Sequence, residues 1–155
     1  MKLRAIAAGM ALALAPGFAA ATSNAPPAPV LKLANAAMHA ANTNDASAFA
    51  GLYTEDAVVV DEVPPFIWRG AGAGTAWWHA VASFAQKMKM THLRATDIRV
   101  GEFKESVTDA YLVEPMTVTG IANGKPFAEA GTTTYTFHNS GGTWLISSQV
   151  WTTKP

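Results

Sequence analysis

Residues 107–138 read VTDAYLVEPMTVTGIANGKPFAEAGTTTYTFH. Two runs rich in Thr, Val, Ile and Tyr, residues suited to strands, flank Asn123-Gly124. That dipeptide is the strongest short hairpin signal, because Asn and Gly tolerate the positive φ that a two-residue turn needs. The stretch therefore predicts two long antiparallel strands, Val107 to Ile121 and Phe127 to His138. Asn139 to Gly142 is a second turn leading to a strand over Thr143 to Thr152, and Thr91 to Val100 is a further strand upstream. Sequential hairpins of this kind make an antiparallel sheet.

Upstream of Thr91 the periodicity changes to that of helices. Leu31, Ala34, Met38 and Ala41, widened by Leu33 and Ala37, mark an amphipathic helix over Val30 to Ala41. Asn42 to Asn44 interrupts it, and Asp45 caps a second, short helix carrying Ala46, Phe49, Ala50 and Tyr53. Thr54 to Asp56 is a polar break before a strand over Ala57 to Asp61, which Pro64-Pro65 turns back into Phe66 to Arg69. A third helix spans about Ala73 to Met88, with Trp77, Val81 and Phe84 on one face. The expected fold class is α+β: three helices in the N-terminal half, packed on one face of a curved antiparallel sheet.

The 155 residues suit one domain. Eleven basic and eleven acidic side chains leave no basic footprint for nucleic acid. The absence of cysteine excludes disulfides, thiolate metal sites and a Cys nucleophile. Met1 to Arg4 is a basic start, Ala5 to Ala15 an apolar run and Ala19 to Ala21 a small-residue cleavage site, so residues 1–21 read as a secretory signal. The run stops at Pro16-Gly17, short of the roughly 20 apolar residues of a membrane span. Cleavage after Ala21 would remove Lys2 and Arg4 and leave 134 residues with nine basic and eleven acidic side chains, a net charge of −2. Residues 22–29, with three prolines, read as a disordered leader to a domain over residues 30–155. The expected location is secreted or periplasmic, with no stable membrane insertion after cleavage.

The order helix, helix, strand hairpin, helix and four long strands resembles the nuclear transport factor 2-like superfamily, also called cystatin-like. The local match is to its branch of ketosteroid isomerases and polyketide cyclases, the SnoaL-like branch. It is carried by Asn44-Asp45, by Leu52-Tyr53 before Asp56-Ala57-Val58-Val59-Val60-Asp61, by Arg69-Gly70, by Asn123-Gly124-Lys125-Pro126 and by Gln149-Val150-Trp151. The resemblance implies a cone-shaped fold whose sheet closes over helices around a pocket. It also implies a general base at the end of the first strand, where Asp61 stands. The isomerase oxyanion hole, a tyrosine and a protonated acid, has no match: Ala37 and Thr133 occupy those positions. Lost donors of this type cost about 3 kcal/mol each in other enzymes, so steroid isomerase activity is not expected.

If Trp151 lines the pocket, as the resemblance implies, strand alternation turns Gln149 and Ser147 the same way and Ile146, Ser148 and Val150 away. The same parity directs Glu114, Met116, Val118, Thr133 and Tyr135 inward. Asp61 is then either a base at an apolar cavity or an exposed turn residue, and burial decides between them. Glu114 is a second candidate, whose side would flip with a one-residue register slip. His92 is the histidine best placed to assist, against the alternative of a surface imidazole. His39, His79, His92 and His138 have no metal-ligand spacing. Gly70 to Thr75 lacks the lysine of a phosphate loop and reads as a flexible segment leading into the third helix. Trp68, Trp77 and Trp78 either clamp an aromatic ligand or fill the core, and Trp77 and Trp78 cannot share one helix face.

These features predict an exported protein that binds or converts a small apolar molecule. As an enzyme it would be a cofactor-independent isomerase, cyclase or lyase using Asp61, Glu114 and His92. The alternative is a non-catalytic periplasmic ligand-binding or assembly module. A homodimer is expected in either case, through the uncharged sheet positions Thr117, Thr119, Ile146, Ser148 and Val150.

Overall fold

The structure is a computed structural model that describes residues 25–154. The signal reading of residues 1–21 lies outside the described residues. Helix α1 spans Ala28–Thr43, starting two residues before the predicted Val30, with a proline in its first turn, where the missing N–H costs nothing. Its buried side is Val30, Ala34, Ala37, Met38 and Ala40, while Leu31, Leu33 and Ala41 pack at its margin. Asn44, in the left-handed conformation at φ 55°, ends it.

Asp45 caps the next element as expected, its Oδ1 accepting the N–H groups of Ser47 at 3.0 Å and Ala48 at 3.2 Å. That element is one turn of 3-10 helix, Ala46–Phe49, rather than an α-helix. Gly51 at φ 77° turns the chain directly afterwards, so the fold has two α-helices, not three. Strand β1 then runs Tyr53–Val60 and absorbs the predicted polar break. Tyr53, Ala57 and Val59 are buried, and Glu55 and Asp56 are exposed beside a bulge. Strand β2, Ile67–Arg69, returns against it, and helix α2 spans Ala73–Lys87.

Strand β3 spans Met90–Thr96 and β4 Glu102–Glu105. The predicted strand over Thr91 to Val100 thus ends at Thr96, and β4 is a further short strand beyond it that the sequence reading did not include. Both β3 and β4 pair with β5, Asp109–Ala122, and between them Gly101 crosses Pro115 so closely that a Cβ would lie 2.7 Å from its Cδ. Strands β6, Lys125–Ser140, and β7, Thr143–Thr153, complete the predicted hairpins, and the β5–β6 ladder closes at Ala122 and Lys125 around Asn123-Gly124.

The sheet order is β2-β1-β7-β6-β5-β3, with β4 also on β5. It is mixed rather than antiparallel, because β1 pairs parallel with β7. The C-terminal strand lies beside the first one, running in the same direction, which a meander alone does not produce. The core fills the space between the helices and the concave sheet face, with Phe49, Leu112, Tyr135, Phe137 and Ile146 almost fully enclosed. No helix among the described residues is long and apolar enough to cross a membrane.

Candidate functional site

Between the helices and the concave sheet face lies a cavity of about 380 Å³, a size typical of small-molecule sites. Helix α1 contributes Met38, Ala41 and Asn42, and α2 contributes Trp77, Trp78, Val81 and Phe84. Met90, Leu93, Met116, Val118 and Phe127 continue the apolar lining along the sheet. Polar groups come from Asp61, Glu62, Arg94, Glu129, Thr133 and Gln149.

Both indoles of α2 turn inward. Trp77 and Trp78, 100° apart on the helix, were expected to face different surroundings, yet each ring reaches Phe49, at centroid distances of 5.6 and 5.9 Å. Their own centroids are 5.4 Å apart. Trp78 Nε1 donates to Asn44 Oδ1 at 3.0 Å, which ties α2 to the end of α1. Trp77 Nε1 donates to Asp61 Oδ2 at 2.8 Å.

Asp61 follows β1 and is partly buried on the cavity wall. Its Oδ1 accepts the Val63 N–H at 2.9 Å. Burial raises its carboxyl above the ordinary range, and the bonds from Val63 and Trp77, which favour the ionised form, oppose part of that rise. Its neighbour Glu62 accepts from the backbone and hydroxyl of Thr153 at 2.9 and 2.8 Å. That pair of bonds ties the rim of the cavity to the end of β7.

Gln149 is positioned by a chain of contacts that begins at a glycine. Gly74, in the first turn of α2, leaves room for the Tyr53 ring, which an added Cβ would overlap. Tyr53 Oη donates to Gln149 Oε1 at 2.5 Å in a buried bond. The glycine-rich segment is therefore a close-packing device as well as a turn. Gly131 does the same for Trp151, whose ring occupies the space a Cβ would take. Burial pushes the Tyr53 hydroxyl well above its usual range and holds it neutral.

The structure brings Asp61, Met116, Val118, Thr133, Gln149 and Trp151 to the cavity. Glu114 and Tyr135 lie behind this lining, on the same sheet face. Glu114 pairs across the ladder with Thr133, and burial raises its carboxyl to about 7. Tyr135 pairs with Gln149. Two predicted residues lie elsewhere. Trp68 packs into the core, not on the cavity lining. His92 is exposed at φ 57°, bonded at 3.1 Å to Thr91, in the register shift between Thr91 and Arg94 that turns both Thr91 and His92 to solvent.

A second irregularity reverses a predicted orientation. Phe137 pairs with Ile146 and Thr136 with Ser148, which leaves Ser147 as an extra residue in β7. Ile146 is thus fully buried rather than turned away. Ser147 bonds Thr136 Oγ1 at 2.8 Å, beside Ser148, instead of facing the cavity.

Sequence reasoning missed Tyr53, which extending the alternation of Val59 and Ala57 backwards would have found. It also missed Asn42 and Arg94. The Asn42 amide bonds both backbone groups of Ala95, at 3.1 and 2.7 Å, and Arg94 donates to the Asn42 carbonyl at 2.6 Å. Nothing in a single sequence signals that pairing across 53 positions. Among the described residues no cluster of three or more His, Asp or Glu side chains is arranged to hold a metal ion.

Comparison with known proteins places this geometry in a family. No curated protein matches the chain. Among solved structures it is similar to a hexachlorocyclohexane dehydrochlorinase from Novosphingobium barchaimii, with 13% identity, a TM-score of 0.66 and coverage of 83% of this chain and 86% of that one. It is also similar to an uncharacterised Caulobacter vibrioides protein with a cystatin-like fold, with 17% identity, a TM-score of 0.62 and coverage of 82% and 88%. A further likeness is to an NTF2-like protein of Novosphingobium aromaticivorans, with 15% identity, a TM-score of 0.61 and coverage of 79% and 78%. These likenesses are of fold. The sequence itself matches the SnoaL-like domain over residues 28–150, so the chain belongs to the SnoaL-like family within the NTF2-like superfamily.

Proposed function

We propose that this protein binds an apolar small molecule in the cavity and removes a proton from it with the Asp61 carboxylate, without a cofactor. The reaction class is isomerisation, cyclisation or elimination. The observation that carries this reading is the partly buried Asp61 carboxylate on the wall of a largely apolar cavity, held in place by Trp77 and Val63. Each carboxylate oxygen keeps a free lone pair after accepting one bond. Burial raises the Asp61 carboxyl above its ordinary range, which strengthens the carboxylate as a base. Glu114, with its carboxyl raised to about 7, pairs with Thr133 behind the lining and does not reach the ligand, so Asp61 is the carboxylate that acts.

The dehydrochlorinase neighbour suggests which chemistry to test first, because loss of hydrogen chloride from carbon starts with proton abstraction. The purified protein would be incubated with hexachlorocyclohexane and with apolar ketones, following chloride release and product formation. Asp61→Asn is expected to lower turnover at least about 100-fold while leaving ligand affinity, read by tryptophan fluorescence, nearly unchanged. Turnover equal to wild type would exclude Asp61 as the base.

A second reading, ligand binding without turnover, is favoured by one observation. Both Asp61 oxygens already accept bonds from the fold, and no histidine lies on the cavity lining. Saturable binding with no product from any substrate would select it. Residues 1–21 support export, and the uncharged Thr117, Thr119, Ser148 and Val150 support a homodimer through the sheet. Light scattering that reports a monomer at high concentration would dispose of the dimer.

A further inference from the structure

We infer that the floor of the cavity is a hydrogen-bond-donor site that holds the carbonyl oxygen of an otherwise apolar ligand, through the Gln149 amide and the Thr133 hydroxyl. The inference rests on the small-molecule reading above and names the class of molecule. Tyr53 donates to Gln149 Oε1, which occupies the acceptor end of that side chain and leaves its two N–H donors for the cavity it lines. The Thr133 hydroxyl has only the Met116 sulfur as partner, at 3.7 Å, and a thioether is a weak acceptor. Thr133 pairs with Trp151 and Tyr135 with Gln149, so Thr133 and Gln149 are diagonal neighbours on one sheet face. Such neighbours lie roughly 7 Å apart, close enough for both side chains to reach one oxygen.

A separate observation points the same way. Directly behind these two residues, Glu114 is 3% and Tyr135 0% exposed, and Glu114 Oε2 and the Tyr135 hydroxyl have no hydrogen-bond partner. Buried polar atoms are rarely left so, and these two, the ladder partners of Thr133 and Gln149, make the layer behind the floor polar, while the cavity walls are Trp77, Trp78, Phe84 and Met90. The cavity also carries the carboxylates of Asp61, Glu62 and Glu129 against the single guanidinium of Arg94, which is already bonded to Asn42. That charge disfavours an anionic acceptor, so a neutral carbonyl fits and a carboxylate does not.

The test compares 1-tetralone, tetralin and 1-naphthoate as probes, read by the fluorescence of the cavity tryptophans. Tetralone is expected to bind about tenfold more tightly than tetralin, as one well-made hydrogen bond allows, and naphthoate more weakly than tetralone. Thr133→Val, which conserves shape, and Gln149→Met, whose sulfur can still accept from Tyr53, should each erase the preference for tetralone and leave tetralin within about twofold. Near-UV circular dichroism verifies that each variant is folded. Equal binding of tetralone and tetralin, or a preference that survives both substitutions, would overturn the donor floor and leave the small-molecule reading intact. No saturable binding of any probe would overturn both.

Discussion

Glu114→Gln should flatten the pH dependence of stability. Glu114 is enclosed by β5 and β6, one carboxyl oxygen has no partner, and burial raises its pKa from 4.5 to about 7. The gap of about 2.5 pH units, at 1.36 kcal/mol each, corresponds to roughly 3 kcal/mol. The raised value means that the folded state prefers the neutral acid. Its contribution is therefore fully present below pH 4.5, falls as the unfolded chain alone releases the proton, and is lost once pH passes about 7. Tyr53 and Tyr135 on the neighbouring strands are themselves pushed upward by burial and stay neutral across this window. Asp61, also raised, is common to both proteins and cancels in the comparison. Urea denaturation at intervals from pH 4.5 to 8.5 would measure the difference. The two curves should converge at the acid end, and wild type should fall below the variant by up to about 3 kcal/mol at the alkaline end. Parallel profiles, or a wild type that gains on the variant as pH rises, would refute the reasoning.

Trp77→Phe keeps an aromatic ring but removes the donor to Asp61 Oδ2. The Asp61 pKa should rise further, because that bond favours the ionised form, and a carboxyl-carbon NMR titration showing no rise would contradict this. Gly74→Ala would normally favour a helix, yet its Cβ would overlap the Tyr53 ring. The net expectation is a loss of about 1–2 kcal/mol, so a higher urea midpoint would exclude it. Asn42→Ala removes both bonds to Ala95, which should cost about 2 kcal/mol and weaken hydrogen-exchange protection of the Ala95 amide. Unchanged protection would show that the α1–β3 seam does not depend on that side chain.

Local chemistry accounts for much of what was legible beforehand. Asn123-Gly124 sets the register of β5 and β6, since few other dipeptides accept the turn geometry. A strict period of two then makes Glu114, Met116, Thr133 and Tyr135 share a face, and they do. Asp45 caps its turn because a carboxylate so placed meets free N–H groups. Asp61 was placed through family resemblance and Glu114 through alternation, but neither argument could give their burial.

The tertiary structure decided what depends on partners distant in sequence. The parallel pairing of β1 with β7 joins the two ends of the domain, and no local pattern encodes it. One extra residue at Ser147 brings Ile146 into the core, and the shift at Thr91 sends His92 to solvent. In both cases a bulge interrupts the alternation on which sequence parity rests. Trp77 and Trp78 converge because Phe49, from another element, offers both rings a contact. Periodicity along the chain thus determined which residues could face inward. Only the assembled sheet and helices determined which of them meet, because side-chain contact depends on the packing of neighbours that the chain brings together from afar.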